Sequence, residues 1–126
     1  MKKLLTFIIA FAIVACSKEN SVLPLLKEIE QQCDTAPHAA YSRLLEIDSE
    51  RELPNEASKA KYALLLTKSA DKAYIRHTSD STIKRALAYY ESNGSTAELA
   101  EAQYYTGSVY RDMYDAPKAV IWYNKA

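Results

Sequence analysis

The sequence predicts an all-α protein made of helix–turn–helix hairpins in tandem. Three observations carry that prediction. Apolar residues recur at three-and-four spacing along almost the whole chain after residue 22, the period of one helix face. Only two Gly and four Pro punctuate 126 residues, which suits helices joined by short turns better than many strands. An internal register also repeats, Ala86 with Ala119 and Tyr90 with Tyr123, each pair 33 residues apart in sequence.

The elements follow in order. Val22, Leu25, Leu26, Ile29 and Cys33 form the inward stripe of a first helix. Polar residues at Asp34 and Thr35 break it, and Pro37 stands where a first helical turn tolerates it. A second helix carries Ala40, Tyr41, Leu44, Leu45 and Ile47. The charged stretch "DSERELPNE" reads as a loop. Its acids with Glu46 (Asp48, Glu50, Glu52) are a solvated connector, since Arg51 interrupts them and no Gly-turned calcium loop is present. A third helix is expected from Glu56 to Tyr74, with Ala60, Ala63, Leu64, Leu66, Thr67, Ala70 and Ala73 on a broad face. "HTSDST" offers capping side chains before a fourth helix that turns Ile83, Leu87 and Tyr90 inward. Asn93-Gly94 ends it, because Gly takes the left-handed conformation at little cost. Ser95 with Glu98 is a capping box for a fifth helix lined by Leu99, Ala102, Thr106, Val109, Tyr110 and Met113. Asp115 caps a sixth, with Ala116 and Pro117 in its first turn. The helices pair into hairpins at about 22–50, 54–94 and 95–126.

The front of the chain is a different kind of segment. "MKKLLTFIIAFAIVAC" has Lys2 and Lys3, then twelve uncharged residues from Leu4 to Ala15, then Cys16. Twelve helical residues rise only about 18 Å against a hydrocarbon core of about 30 Å. A basic start and a short apolar run read as a signal peptide, residues 1–15, not a spanning helix. Ile13-Val14-Ala15-Cys16 resembles the lipobox of bacterial lipoproteins. That resemblance implies cleavage before Cys16, fatty acylation there, and anchoring by several acyl chains, which hold a protein stably where one chain does not. Residues 16–21 then serve as a tether. Ser17 implies, by the sorting habit of such lipoproteins, the outer membrane over the inner. The other reading of these residues is a plain signal peptide ending in a chance cysteine.

Charge excludes one partner class. The chain holds 16 basic and 16 acidic residues, and without Lys2 and Lys3 the balance is 14 to 16, net −2. No clustered basic face for nucleic acid is visible. With Cys16 acylated, Cys33 has no disulfide partner, and it reads as a small apolar helix residue.

The closing stretch "AEAQYYTGSVYRDMYDAPKAVIWYNKA" resembles the tetratricopeptide repeat, a 34-residue helix–turn–helix unit. Laid with Ala100 at the start of a unit, Gly107, Tyr110, Ala119, Tyr123 and Ala126 fall on five signature positions. It departs from the pattern at Gln103, where Trp is usual, and at Thr106, where Leu is usual. The resemblance implies a short right-handed solenoid in which the small Gly107 and Ala119 let two helices approach. In the preceding hairpin Ala60 to Ala86 spans 26 residues against 17 from Ala102 to Ala119. The excess implies a longer third helix or a long turn around Arg76, and it places Leu65 on the small position. Val120, Trp122 and Tyr123 then lack a successor to cover them. The expectation is a longer natural chain or a fragment, the alternative being a three-hairpin domain closed by self-association.

Little in the sequence suggests catalysis. His38 and His77 are 39 residues apart and form no i, i+4 pair for zinc; His77, before a cap-rich turn, reads as a polar surface residue. No Gly-rich nucleophile elbow or phosphate-cradling loop is present. No metal, cofactor or catalytic residue is expected. The tetratricopeptide resemblance implies instead a concave groove lined by Glu101, Tyr104, Ser108, Arg111 and Asp112. Tyr and Arg are effective anchors for a partner, though the same positions also suit a wet helix surface. They lack the residue types of repeats that clamp a terminal carboxylate. The expected function is a lipid-anchored scaffold binding a protein or peptide at the cell envelope. Its rivals are the input segment of a longer membrane signalling protein and an accessory protein of an uptake system.

Overall fold

The computed structural model describes residues 22–126; the leader expected over 1–15, Cys16 and the tether to residue 21 lie outside them. Among the described residues there are six helices and no strand. They are α1 (22–35), α2 (Pro37–Leu45), α3 (Glu56–Lys72), α4 (Ser81–Ser92), α5 (Thr96–Asp112) and α6 (Ala116–Lys125). None is long and apolar enough to cross a membrane.

Capping chemistry sets the boundaries. Ser95 and Glu98 make the expected reciprocal box, and Asp115 accepts from the Lys118 N–H at 3.2 Å. Asn55 and Ser58 make a second box, Asn55 Oδ1 accepting from the Ser58 N–H at 2.9 Å while Ser58 Oγ accepts from the Asn55 N–H. At the start of α4, Ser79 of the expected stretch supplies the capping side chain, its Oγ accepting from the Ser81 N–H at 3.2 Å. Asp80 makes no side-chain cap, because its carboxylate accepts instead from the Tyr110 hydroxyl at 2.8 Å. Gly94 closes α4 at φ +81°. The ends of α3 and α5 have no glycine: Tyr74 and Tyr114 sit there at φ 59° and 61°. In both, the next amide donates back into the helix, Ile75 to Ala70 and Asp115 to Tyr110, at 2.9 Å. That is the Schellman arrangement, made with tyrosine where glycine is the usual residue.

These features place α3 and α5 in the same role. Each is 17 residues long, each opens with a capping box, and their first residues, Glu56 and Thr96, lie 40 apart. Helix α3 stops at Lys72, not at Tyr74, so it is no longer than its counterpart. The excess seen in the sequence lies largely in the turn, eight residues from Ala73 to Asp80 against three from Met113 to Asp115. The 40-residue offset also corrects the expectation for Leu65. Thr67 is the residue equivalent to Gly107, and it is buried with its hydroxyl donating to the Ala63 carbonyl at 3.0 Å.

Two cores meet on α3. Leu65 turns toward Leu26, Ile29, Cys33, Ala40 and Leu44 of the first two helices, joined by Leu53. Ala60, Ala63 and Leu64 turn toward Ile83, Ala86, Leu87 and Tyr90 of α4, and Ala102, Tyr105 and Val109 of α5. Each helix from α2 onward packs on its sequence neighbour, and α3 also touches α5. Cys33 is fully buried, and burial pushes its thiol up to about 11, against the pull of Lys68. It is packing material and a poor nucleophile. Two expected inward residues are exposed: Leu45 ends α2 and Met113 caps α5, where the helix face has already run out; Val22, Leu25, Tyr41, Ile47, Leu66 and Leu99 are half-buried.

Gly107 is required by Tyr123. A Cβ built at Gly107 lies 2.7 Å from the Tyr123 ring, and that ring is held by a 3.1 Å hydrogen bond between its hydroxyl and Ser108 Oγ. Gly107→Ala therefore forces the ring, and with it α6, off the α5 surface. It is expected to destabilise the fold by about 1–3 kcal/mol in chemical denaturation.

Candidate partner-binding surface

The odd-numbered helices are tied together by charge. Lys61 of α3 donates to Glu30 of α1 at 2.6 Å, and Lys72 meets Asp34 at 2.9 Å. Lys68, with its side chain only 12% exposed, donates to Glu101 of α5 at 2.7 Å and lies 3.9 Å from Asp34. Burial alone would lower the Lys68 pKa, but the Glu101 hydrogen bond and the charges of Glu101 and Asp34 outweigh it and raise the value. Such part-buried pairs lock the relative placement of helices more than they add stability, since desolvation offsets much of the attraction.

A second cluster lies where α3 and α5 end. Arg111 donates through one terminal nitrogen to both Asp71 and Asp112 at 2.8 Å. Asp112 also accepts from the His77 backbone N–H at 3.1 Å and faces His77 Nδ1 at 2.8 Å, while Nε2 faces the Thr67 carbonyl at 3.3 Å. Arg76 donates from Nε to the Asp112 carbonyl at 2.9 Å and lays its guanidinium over the Tyr114 ring, 4.3 Å from the centroid. The Asp112 hydrogen bond, with that to Asp71, raises the Arg111 pKa against the cost of burial. For Asp112 burial alone would raise the pKa, yet the His77 and Arg111 hydrogen bonds hold the carboxyl below its ordinary value.

His77 is thus not the surface residue expected from sequence; its side chain is 10% exposed. Asp71, His77 and Asp112 also bring donor atoms within 4.8 Å of one another, a grouping that their separation in the chain conceals. Arg111 supplies the positive charge between the two carboxylates there.

The five residues expected to line a groove take different parts. Tyr104 is 46% exposed and packs edge-on against Tyr105 and tilted against Tyr123. Arg111 is exposed yet held by its two carboxylates, and Glu101 and Asp112 are half-buried in internal pairs. Ser108 is a departure from expectation. It is fully buried because the Tyr123 hydroxyl reaches over it from α6. Of the residues expected to mark the repeat, Gly107, Tyr110 and Ala119 are buried, Tyr123 is half-buried and Ala126 is exposed. Val120 and Ile121 stand more than half exposed, and Val120 helps line a cleft of about 380 Å³ with Tyr114, Ala116, Ala119 and Tyr123. A larger cleft of about 660 Å³ lies between α1 and α2, with Val22, Leu25, Ile29 and Ile47 among its walls.

No protein-family model, curated protein or solved structure matches the chain.

The Asp112 network predicts an acid-sensitive stabilisation. A carboxyl held low by folding contributes fully above the ordinary range around pH 4, and the contribution is lost as pH falls through the folded value. The Asp112→Asn variant is expected to melt a few degrees below the parent near neutral pH. Melting curves collected toward about pH 2 should converge.

Proposed function

We propose that the chain is a lipid-anchored, tetratricopeptide-like scaffold that holds a protein or peptide partner at the cell envelope. The observation that carries this reading is the equivalence of α3 and α5. Equal length, matching caps, matching left-handed tyrosines and a 40-residue offset at both ends support reading α3 and α5 as the first helices of two related hairpins. Stacked units of this kind expose long side-by-side helix faces, surfaces suited to holding extended partners. The exposed Tyr104 on α5 supports a contact point there, since an aromatic ring loses little rotamer freedom on binding. Exposed Val120 and Ile121 on α6 suit an added helix or a partner. Fatty acylation at Cys16 supplies the anchor, with the outer membrane the favoured destination.

Two experiments test the two halves of the proposal. Fractionation of cells expressing the parent and a Cys16→Ala variant reads the anchor: the parent is expected with membranes and the variant released. Equal membrane retention of both would remove lipidation from the account. A photo-crosslinking amino acid at position 104 reads the surface. It is expected to give discrete adducts of higher mass in living cells, and no adducts from an exposed α4 control position such as Ala88. Adducts from neither position in a protein shown to be folded would sink the scaffold reading of the α5 face.

A further inference from the structure

The face of α6 around Val120 repeats a face that α4 keeps covered. At the 33-residue offset that relates Ala86 to Ala119, the cleft-lining Ala116, Ala119, Val120 and Tyr123 correspond to Ile83, Ala86, Leu87 and Tyr90. Those four are the buried residues of α4, and they share their core with Ala102, Tyr105 and Val109 of α5. Leu87 is 7% exposed there, whereas Val120, at the corresponding place, is 56% exposed. Of α2 to α5, only α5 packs on α6. The α4 face is thus closed by the first helix of the following hairpin, through apolar residues at i, i+3 and i+7, and the α6 face has no such cover among the described residues.

A first helix with the same spacing and an open side stands at the other end of the helix series. Val22, Leu25 and Ile29 of α1 lie at i, i+3 and i+7 and line the 660 Å³ cleft beside Ile47. Ile29 is fully buried, while Val22 and Leu25 are half-buried.

Charge matches the two surfaces. Residues 22–52 hold three Lys and Arg against seven Asp and Glu, net −4. At the cleft Glu28 pairs with Arg43 at 3.0 Å, but Glu46 and Glu52 are exposed and make no ion pair among the described residues. Helix α6 holds Lys118 and Lys125 and no acidic residue. Lys118 reaches back to Asp115 at 3.4 Å yet keeps 59% of its side chain exposed, and Lys125 lies over the Trp122 ring. An apolar patch rimmed by lysine therefore has its complement on the same molecule, an apolar cleft rimmed by glutamate. Two α6 faces, or two clefts, would instead set like charges against each other.

We propose that the α6 face of one copy seats in the α1–α2 cleft of a second copy of this chain. In that contact α1 of the second copy covers α6 of the first as α5 covers α4, with Lys118 and Lys125 facing Glu46 and Glu52. Because the two patches differ, the contact is heterologous, and further copies can add at either end. It deepens the scaffold reading at α6 alone, by naming the occupant; the α5 face at Tyr104 takes no part.

The test uses the full chain in membranes of cells that express two copies with different tags. One copy carries a photo-crosslinking amino acid at position 120. The expected product has twice the mass, carries both tags, and is cross-linked within residues 22–52 of the second copy. Glu46→Lys with Glu52→Lys in the second copy should cut its yield about tenfold. Adding Lys118→Glu with Lys125→Glu to the probe copy should restore it. All four side chains are exposed, so the variants are expected to melt with the parent, which thermal denaturation checks. A product without both tags, whether none, one within a single copy or one with another protein, overturns the proposal. So does a cross-link to α6 of the second copy, a yield unmoved by the reversed glutamates, or no recovery with the paired reversal. Adducts at position 104 would leave the scaffold reading standing in each of those cases.

Discussion

Helix α3 must be buried on two sides at once, and the rest of the fold depends on how its sequence allows that. Leu64 and Leu65 are successive residues, about 100° apart around the helix, and each fills a different core. Between them the helix is lined with Ala60, Ala63, Ala70 and Ala73, small enough for neighbours to close in from both directions. The buried hydroxyls of Thr67 and Ser69 donate to carbonyls of their own helix, and among the described residues no buried side-chain polar atom lacks a partner. Helix α5 repeats the solution with Ala102, Thr106, Gly107 and Ser108. Large side chains at these places would separate the layers and open voids that dispersion forces cannot span.

With apolar packing this uniform, register is left to charge. Glu30, Asp34, Lys61, Lys68, Lys72 and Glu101 stitch α1 to α3 and α3 to α5 along one side. Helices meeting through alanine and small hydroxyl side chains could slide by a turn at modest cost. A half-buried Lys68 facing Glu101 cannot slide without leaving a charge desolvated and unpaired, which is expensive. Residues that look available for a partner when read along one helix are thus already engaged across helices. Tyr104, with no charge to satisfy, stays outside that stitching and remains half exposed.

Much of this fold was legible in the sequence because its signals are local. Ser95 with Glu98, Gly94 after α4, and the inward Tyr90 all follow from spacing within a single helix or turn. The Asn55–Ser58 box was missed because serine, not Glu or Gln, supplies the return bond. What could not be read was contact at long range. His77 looked like a surface residue because Asp112 lies 35 positions away, and Ser108 looked available because Tyr123 arrives from the next helix. The left-handed tyrosines carried no signal, since tyrosine is not a residue that marks such a conformation.

The long turn between α3 and α4 has a consequence for how the molecule comes apart. Arg76, His77 and Asp80 are all fastened to α5, through the Asp112 carbonyl, the Asp112 carboxylate and the Tyr110 hydroxyl. One hairpin's connection is therefore shaped by the helix of the following hairpin. Peeling α5 and α6 away would release that connection as well, and the freed segment would recover the chain entropy its anchors had removed. Fraying from the carboxyl end would not stop cleanly at a boundary between units, and the last two hairpins would melt as one cooperative block.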